Sequence, residues 1–73
     1  MKLRGVVARN VKTMREASGL SQEELAHAAR MHTTYLSGIE NGRRNPTLDV
    51  IERLAAALNV EASTLLAKRS NAT

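Results

Sequence analysis

Residues 21–42 decide the fold of this chain, and they read SQEELAHAARMHTTYLSGIENG. Ser21 and Glu24 have the spacing of a capping box, in which a serine hydroxyl and a glutamate carboxylate satisfy free amides at a helix start. Gly42 is well suited to ending a following helix. The connection between them, Arg30-Met31-His32, is too short for a wide excursion. The stretch therefore predicts the second and third helices of the chain, joined at an angle as a helix-turn-helix.

The apolar residues of this stretch predict how the two helices pack. Helix two offers Leu25, Ala26 and Ala29, a face too small for a free-standing amphipathic helix. Because alanine side chains are small, we expect helix three to cross helix two at short range. Leu36 and Ile39 are then the inward-facing residues of helix three.

Three further helices are predicted on either side of this pair. The first ends near Gly19, and its apolar side consists of Leu3, Val7, Val11, Met14 and Ser18. Thr47 is placed to cap the fourth helix, and Asp49 in the first turn suits the helix dipole. The apolar face of the fourth helix consists of Leu48, Ile51, Leu54, Ala55 and Leu58. A fifth helix runs from Val60 to about Ala67.

The composition fits one small all-α domain of five helices. The 73 residues include no cysteine and only 1% aromatic residues, so the core must be aliphatic and alanine-rich, which favours packed helices. We expect the domain to span residues 1–67, with the helix-turn-helix at about 21–41 and a frayed polar tail at 68–73. No apolar run approaches the roughly 20 residues of a membrane span, and the first residues lack a signal-peptide pattern. We therefore expect a cytoplasmic protein that does not contact a membrane.

The outward face of helix three is unusual for a solvated helix. It carries short hydroxyl residues and a glycine, with no charge before Glu40. A low, uncharged helix of this kind can lie close to a grooved partner, and the net charge of +4 suits a polyanion. Threonine offers base edges a hydroxyl and offers thymine a methyl group. We expect Thr33, Thr34 and Ser37 to read bases in the major groove of double-stranded DNA.

Other polar residues of the helix-turn-helix are placed to contact the DNA backbone. Arg43 and Arg44 follow the end of helix three, where a phosphate strand would rise beside the groove. The hydroxyl of Tyr35 can reach a phosphate while its ring packs inward. We expect these three residues, together with Asn41, to bind phosphates.

The sequences of two segments resemble those of a known family. The segments GLSQEELA (19–26) and TTYLSGIENGRRNPTLDVIERLAAALNV (33–60) are similar to the Cro/C1-type helix-turn-helix regulators, also called the XRE family, and the likeness covers roughly residues 4–67. It implies a compact lambda-repressor-like domain and a dimeric, sequence-specific transcriptional regulator. The motif Tyr-Leu-Ser-Gly-Ile-Glu is most like the controller proteins of restriction–modification systems. Prophage-type repressors and antitoxins share much of the same sequence motif.

The resemblance also assigns roles to matching positions. It implies that Gln22 contacts phosphate or clamps a base-reading side chain, and that Thr33 and Thr34 lead the recognition surface. It further implies an internal ion pair between Arg15 and Glu40 that joins helix one to the end of helix three.

Three positions depart from the family pattern. Gly38 stands where many members carry a base-reading side chain. Arg30 stands where members usually have a glycine in the turn, so it must either accept an unusual backbone conformation or shift the turn. His32 replaces the usual serine or threonine cap of helix three, which predicts a weaker cap or a shift of the cap to Thr33.

A dimer is expected because two-fold symmetric helix-turn-helix proteins need an interface that sets the half-site spacing, about 34 Å. The C-terminal helix is the expected supplier of this interface. We predict that Val60, Leu65 and Leu66 form it, although the same residues could instead complete the core of a monomer.

Other classes of function receive less support from the sequence. A protein-interaction module of the same fold, such as an antitoxin-like domain, is an alternative that Gly38 mildly favours. RNA binding generally uses stacking aromatic residues, and Tyr35 is the one aromatic residue present. His27 and His32 are the only histidines, without further residues at metal-ligand spacing or in a nucleophilic arrangement. We therefore expect no enzyme activity, no cofactor, no metal and no small-molecule ligand.

Overall fold

The computed structural model describes residues 2–68, which form five α-helices. These are α1 (Leu3–Ala17), α2 (Gln22–Ala28), α3 (Thr33–Glu40), α4 (Leu48–Leu58) and α5 (Ala62–Leu66). The all-α, five-helix prediction is confirmed, although α5 is shorter than predicted. Most of the predicted polar tail, residues 69–73, lies outside the described residues. Within residues 2–68, each helix is too short or too polar to cross a bilayer.

Side chains cap the helices where the sequence predicted. The Ser21 hydroxyl accepts a bond from the amide of Glu24 at 3.0 Å, and the Glu24 carboxylate accepts one from the amide of Ser21 at 2.8 Å. The Thr47 hydroxyl accepts a bond from the amide of Val50 at 3.1 Å. His32 occupies the cap position of α3 without a side-chain bond, so the weaker cap is present and has not shifted to Thr33.

All five helices contribute to the core, in which α1 packs against α3 and α5, α2 packs against α3 and α4, and α4 packs against α5. Its largest fully buried side chains are Val11, Leu25, Leu36, Ile39, Leu54 and Leu65. The alanines of α2 are buried as predicted, and Ala26 and Ala29 are each 1% exposed. They allow the close contact between α2 and α3 that fixes the helix-turn-helix.

Three residues predicted on the apolar faces lie outside the core. Leu3 is 58% exposed and Leu48 is 76% exposed, because each is the first residue of its helix and lies beyond the edge of the core. Ser18 is the exposed C-cap residue of α1. Val6 on α1 and Val50 on α4 are buried, although the periodicity did not single out these two residues.

Asn10 is a buried polar residue that the sequence did not reveal. It is 2% exposed, and its side-chain Nδ2 donates to the carbonyls of Leu65 at 2.9 Å and Ala67 at 2.8 Å. A third carbonyl, that of Thr64, lies at 3.4 Å. These bonds satisfy carbonyls at the end of α5, which have no partner within the helix. Asn10 therefore attaches α5 to α1.

Candidate nucleic-acid interface

Helix α3 presents the face that the sequence predicted. Leu36 and Ile39 are fully buried, which turns the opposite side of the helix outward. On that side Thr34 is exposed, and Thr33 and Ser37 are half-buried. The three hydroxyl residues predicted to read bases therefore share one accessible surface, although their contact with DNA stays a prediction.

The turn between α2 and α3 contains a strained residue. Arg30 adopts φ of 59°, a left-handed conformation that glycine accepts more readily than arginine does. Its carbonyl accepts a hydrogen bond from Nη1 of Arg53 on α4 at 2.9 Å. Nε of Arg53 lies 3.4 Å from Oδ2 of Asp49, within ion-pair range but without hydrogen-bond geometry. Arg53 therefore connects α4 to the turn that sets the angle between α2 and α3.

An ionic network fixes the end of α3 against α1 and α2. Arg15 Nε donates to Glu40 Oε2 at 2.7 Å, and Arg15 Nη2 donates to Oε1 at 3.1 Å, so the predicted ion pair is present. Arg15 also donates to the carbonyl of Leu20 at 2.8 Å. The Glu40 side chain is only 2% exposed. Hydrogen bonding to Glu40 raises the pKa of Arg15 above its ordinary value, an effect larger than the lowering by burial.

Gln22 belongs to the same network, which refines its expected role. Its Nε2 donates to Glu40 Oε1 at 3.0 Å, and the side chain is half-buried at the first position of α2. One amide hydrogen of Gln22 is therefore engaged inside the protein. A phosphate contact would have to use the other amide hydrogen or the backbone.

The loop after α3 folds back onto the helix. The amides of Arg43 and Arg44 donate to the carbonyl of Gly38 at 2.8 Å and 3.2 Å. Asn41 Nδ2 donates to the hydroxyl of Ser37 at 3.4 Å. Asn41, Arg43 and Arg44 are all exposed. The expected phosphate-binding residues of the loop thus lie beside the expected base-reading residues.

The predicted dimer interface needs one correction. Leu65 is 0% exposed and belongs to the monomer core, so it cannot contact a second chain directly. Val60 and Leu66 are half-buried and keep part of their surface accessible. Leu66 also lines a shallow groove of about 150 Å³, together with Leu3, Arg4, Val7, Asn45, Pro46, Leu48 and Ile51.

Two functional features escaped the sequence reasoning. Arg53 supports the turn through a backbone carbonyl of Arg30, and a bond of this kind leaves no residue pattern in the sequence. The position of Arg44 over the ring of Tyr35, with the guanidinium carbon 5.9 Å from the ring centroid, was also not foreseen.

A capped α2, a tight turn and an α3 with a hydroxyl-lined outer face define a DNA-binding helix-turn-helix domain. The sequence profile of the helix-turn-helix family HTH_3 matches residues 11–65. The chain belongs to this family, the XRE-type transcriptional regulators, and the family predicted from the sequence is confirmed.

Several relatives are bacterial regulators. Control protein C.SmaI from Serratia marcescens is 38% identical over 69 residues, which cover 94% of this chain and 82% of that protein. The structure of the hypothetical transcription factor NHTF from Neisseria has a TM-score of 0.89 at 45% identity, covering 92% of this chain and 77% of that one. The restriction–modification controller protein C.AhdI from Aeromonas hydrophila has a TM-score of 0.83 at 37% identity, covering 85% and 94%.

Proposed function

We propose that this protein binds double-stranded DNA as a homodimer on a near-palindromic operator and acts as a restriction–modification controller in the cytoplasm. The observation that carries the proposal is the outer face of α3, which is accessible, free of charge from Thr33 to Gly38 and flanked by Arg43 and Arg44. The similarity to C.SmaI and C.AhdI supports the choice of the controller class.

The proposed mechanism follows from how the helices are arranged. Helix α3 enters the major groove, and α2 crosses the backbone with its N-terminal amides toward a phosphate. The side chains of Thr33, Thr34 and Ser37 meet base edges. Phosphate contacts come from Gln22, Tyr35, Asn41 and Arg43. The buried network of Arg15 and Glu40 holds α3 at a fixed angle, so that these contacts are made together.

Short hydroxyl side chains discriminate bases less strongly than bidentate arginine or glutamine. We therefore infer that DNA shape and deformation supply a sizeable share of the specificity. Replacing operator base pairs that the protein does not contact should change the affinity. Unchanged affinity across all such replacements would contradict this inference.

The second chain is proposed to dock on the groove that Leu66 lines. In the part of the chain that the structure describes, the exposed large hydrophobic residues are Leu3 and Leu48, and both line this groove. Exposed apolar surface of this kind is typical of a protein–protein contact. Because a 73-residue domain buries little area alone, a second copy is the occupant that gives both stability and the two-fold symmetry of an operator.

Selection from a random pool of duplexes tests the proposal. The purified protein should enrich a near-palindromic sequence, and its affinity should fall steeply with salt, as expected for several phosphate contacts. Thr34→Glu places a negative charge on the outer face of α3 and should weaken binding at least tenfold. Thr13→Glu makes the same change on the exposed surface of α1 and serves as the control. A protein-interaction module would enrich no sequence.

A further inference from the structure

Gly38 leaves an open position on the outer face of α3. Thr34 and Gly38 are four residues apart, so they lie on the same strip of the helix, opposite the buried Leu36 and Ile39. Gly38 is nevertheless only half-exposed. Something other than its own side chain covers this position.

The stem of Arg44 provides that cover. A Cβ atom at position 38 would lie 2.5 Å from Cγ of Arg44, and 3.6 Å from both Cβ and Cδ. A contact of 2.5 Å is too close for any side chain. The methylene groups of Arg44 therefore occupy the space that every other residue at position 38 would need.

The main chain and the guanidinium of Arg44 are held as well. Its amide donates to the carbonyl of Gly38 at 3.2 Å. Its guanidinium carbon lies 5.9 Å from the centroid of the Tyr35 ring, within the range of a cation–π contact. Tyr35 and Gly38 are three residues apart and are neighbours on the helix surface. The side chain of Arg44 thus lies across α3, with its stem at Gly38 and its guanidinium at Tyr35, while the residue as a whole remains exposed.

We propose that Gly38 is a positioning residue that seats Arg44, and that Arg44 reads a base instead of binding a phosphate as the sequence predicted. Resting on the proposed function, this assignment gives the recognition surface one long side chain beside its short hydroxyls. A guanidinium presented in the major groove donates two hydrogen bonds to O6 and N7 of guanine. The expected target is therefore one G·C base pair in each half-site.

Gly38→Ala should displace the Arg44 side chain without weakening the fold. Alanine has a higher helix propensity than glycine, so α3 should form at least as well as before. The clash involves the middle of the Arg44 side chain, so moving only its tip cannot relieve it. The stem must rotate away, which takes the guanidinium off Tyr35 and off the outer face of α3.

The experiment measures affinity for the selected operator and for every single base-pair change in one half-site. The proteins are the wild type, Gly38→Ala, Arg44→Ala, the double variant and Arg43→Ala. Thermal unfolding checks that each one folds. Arg43→Ala is the matched control, because it removes a neighbouring loop arginine whose backbone bonds to the same Gly38 carbonyl.

We expect Arg44→Ala to weaken operator binding tenfold or more and to abolish the preference at one base-pair position. Gly38→Ala should abolish the preference at that same position. In the Arg44→Ala background, Gly38→Ala should change the affinity less than twofold. Arg43→Ala should weaken all duplexes similarly and leave the preferences unchanged, as loss of a phosphate contact does.

Three results would overturn the assignment. Arg44→Ala could weaken all duplexes equally, which is the behaviour of a phosphate contact. Gly38→Ala could weaken binding by the same factor with and without Arg44, which would mean that the added methyl group itself meets the DNA. Gly38→Ala could also leave both affinity and preference unchanged. If the wild type selects no site at all, the proposed function fails and this assignment fails with it.

Discussion

Glu40 is the residue on which the ionic network of the recognition helix converges. It accepts hydrogen bonds from Arg15 and Gln22 while its carboxylate is almost fully buried. Removing one partner of a buried ion pair leaves an uncompensated charge, which usually costs more than the pair contributes. This one carboxylate therefore ties the end of α3 to both α1 and α2.

Glu40→Gln should lower the free energy of unfolding by about 3 kcal/mol, because Arg15 would stay buried without a counter-charge. Chemical denaturation measures the change. Glu23→Gln, an exposed change on α2, is the control and should have little effect. A loss below about 0.5 kcal/mol would show that the network does not behave as a buried ion pair.

A substitution at Arg30 should stabilise the domain, because the backbone conformation of Arg30 is strained. Arg30→Gly should raise the free energy of unfolding by about 0.5–1 kcal/mol, because glycine adopts positive φ without the clash that a Cβ causes. The denaturation midpoint measures this gain. Ala28→Gly, two residues earlier at the end of α2, should instead destabilise by about 0.5–1 kcal/mol. An unchanged or lower midpoint for Arg30→Gly would show that its side chain contributes more than the strain costs.

At the residue scale the sequence predicted contacts that recur with a fixed spacing or in a known family. The capping box of Ser21 and Glu24 is local, and the pair of Arg15 and Glu40 came from the resemblance. The contacts of Asn10 and Arg53 were missed because both donate to backbone carbonyls more than 20 residues away in sequence. A carbonyl is present at every residue, so no pattern of side chains marks the one that is used.

At the scale of elements, the helix ends were less predictable than the helices themselves. Periodicity placed Leu3 and Leu48 on apolar faces, yet both are exposed because the first turn of each helix extends past the core. The spacing of residues gives the direction in which a side chain points, but not how far the neighbouring helices reach. The ends of α5 were also mispredicted. Its five residues are too few to form a stable helix alone, so packing against the other helices decides where it begins and ends.

Asn10 compensates for the shortness of α5. Asn10→Ala removes the donor for the carbonyls of Leu65 and Ala67, and each buried acceptor left without a partner costs about 1–3 kcal/mol. We expect the free energy of unfolding to fall by about 2 kcal/mol. Hydrogen exchange at the amides of α5 should accelerate more than exchange in α4.

Asn10→Asp provides a matched comparison, because an ionised carboxylate accepts hydrogen bonds but cannot donate them. It should destabilise the domain more than Asn10→Ala does, since it also places a charge against carbonyl oxygens. If exchange in α5 were unaffected by either change, the attachment of α5 would rest on Leu65 alone.

At the scale of the whole molecule, the sequence predicted a dimer but assigned Leu65 to the wrong surface. A leucine of a C-terminal helix can face the core or a partner, and the sequence pattern is the same in both cases. The structure separates the two, because Leu65 is fully buried while Leu66 lines the groove with Leu3 and Leu48. The proposed dimer interface therefore includes the starts of α1 and α4 as well as α5.

Leu48→Glu tests this interface without disturbing the monomer. Leu48 is 76% exposed in the first turn of α4, where a negative charge is favourable to the helix dipole, so the fold should be retained. The new carboxylate would enter the proposed apolar contact, where its charge would be buried without a partner. Sedimentation equilibrium should show a shift toward the 8.0 kDa monomer, and affinity for the full operator should fall more than affinity for an isolated half-site.

Ala56→Glu is the control for that experiment, because Ala56 is exposed on the same helix but lines a separate hollow with Ala28 and Arg53. It adds the same charge and should leave the dimer intact. If Leu48→Glu remained dimeric and Ala56→Glu did not, the second chain would dock on the side of α2 and α4. The two recognition helices would then be related by a different two-fold axis, and the half-site spacing in the selected operator would report their separation.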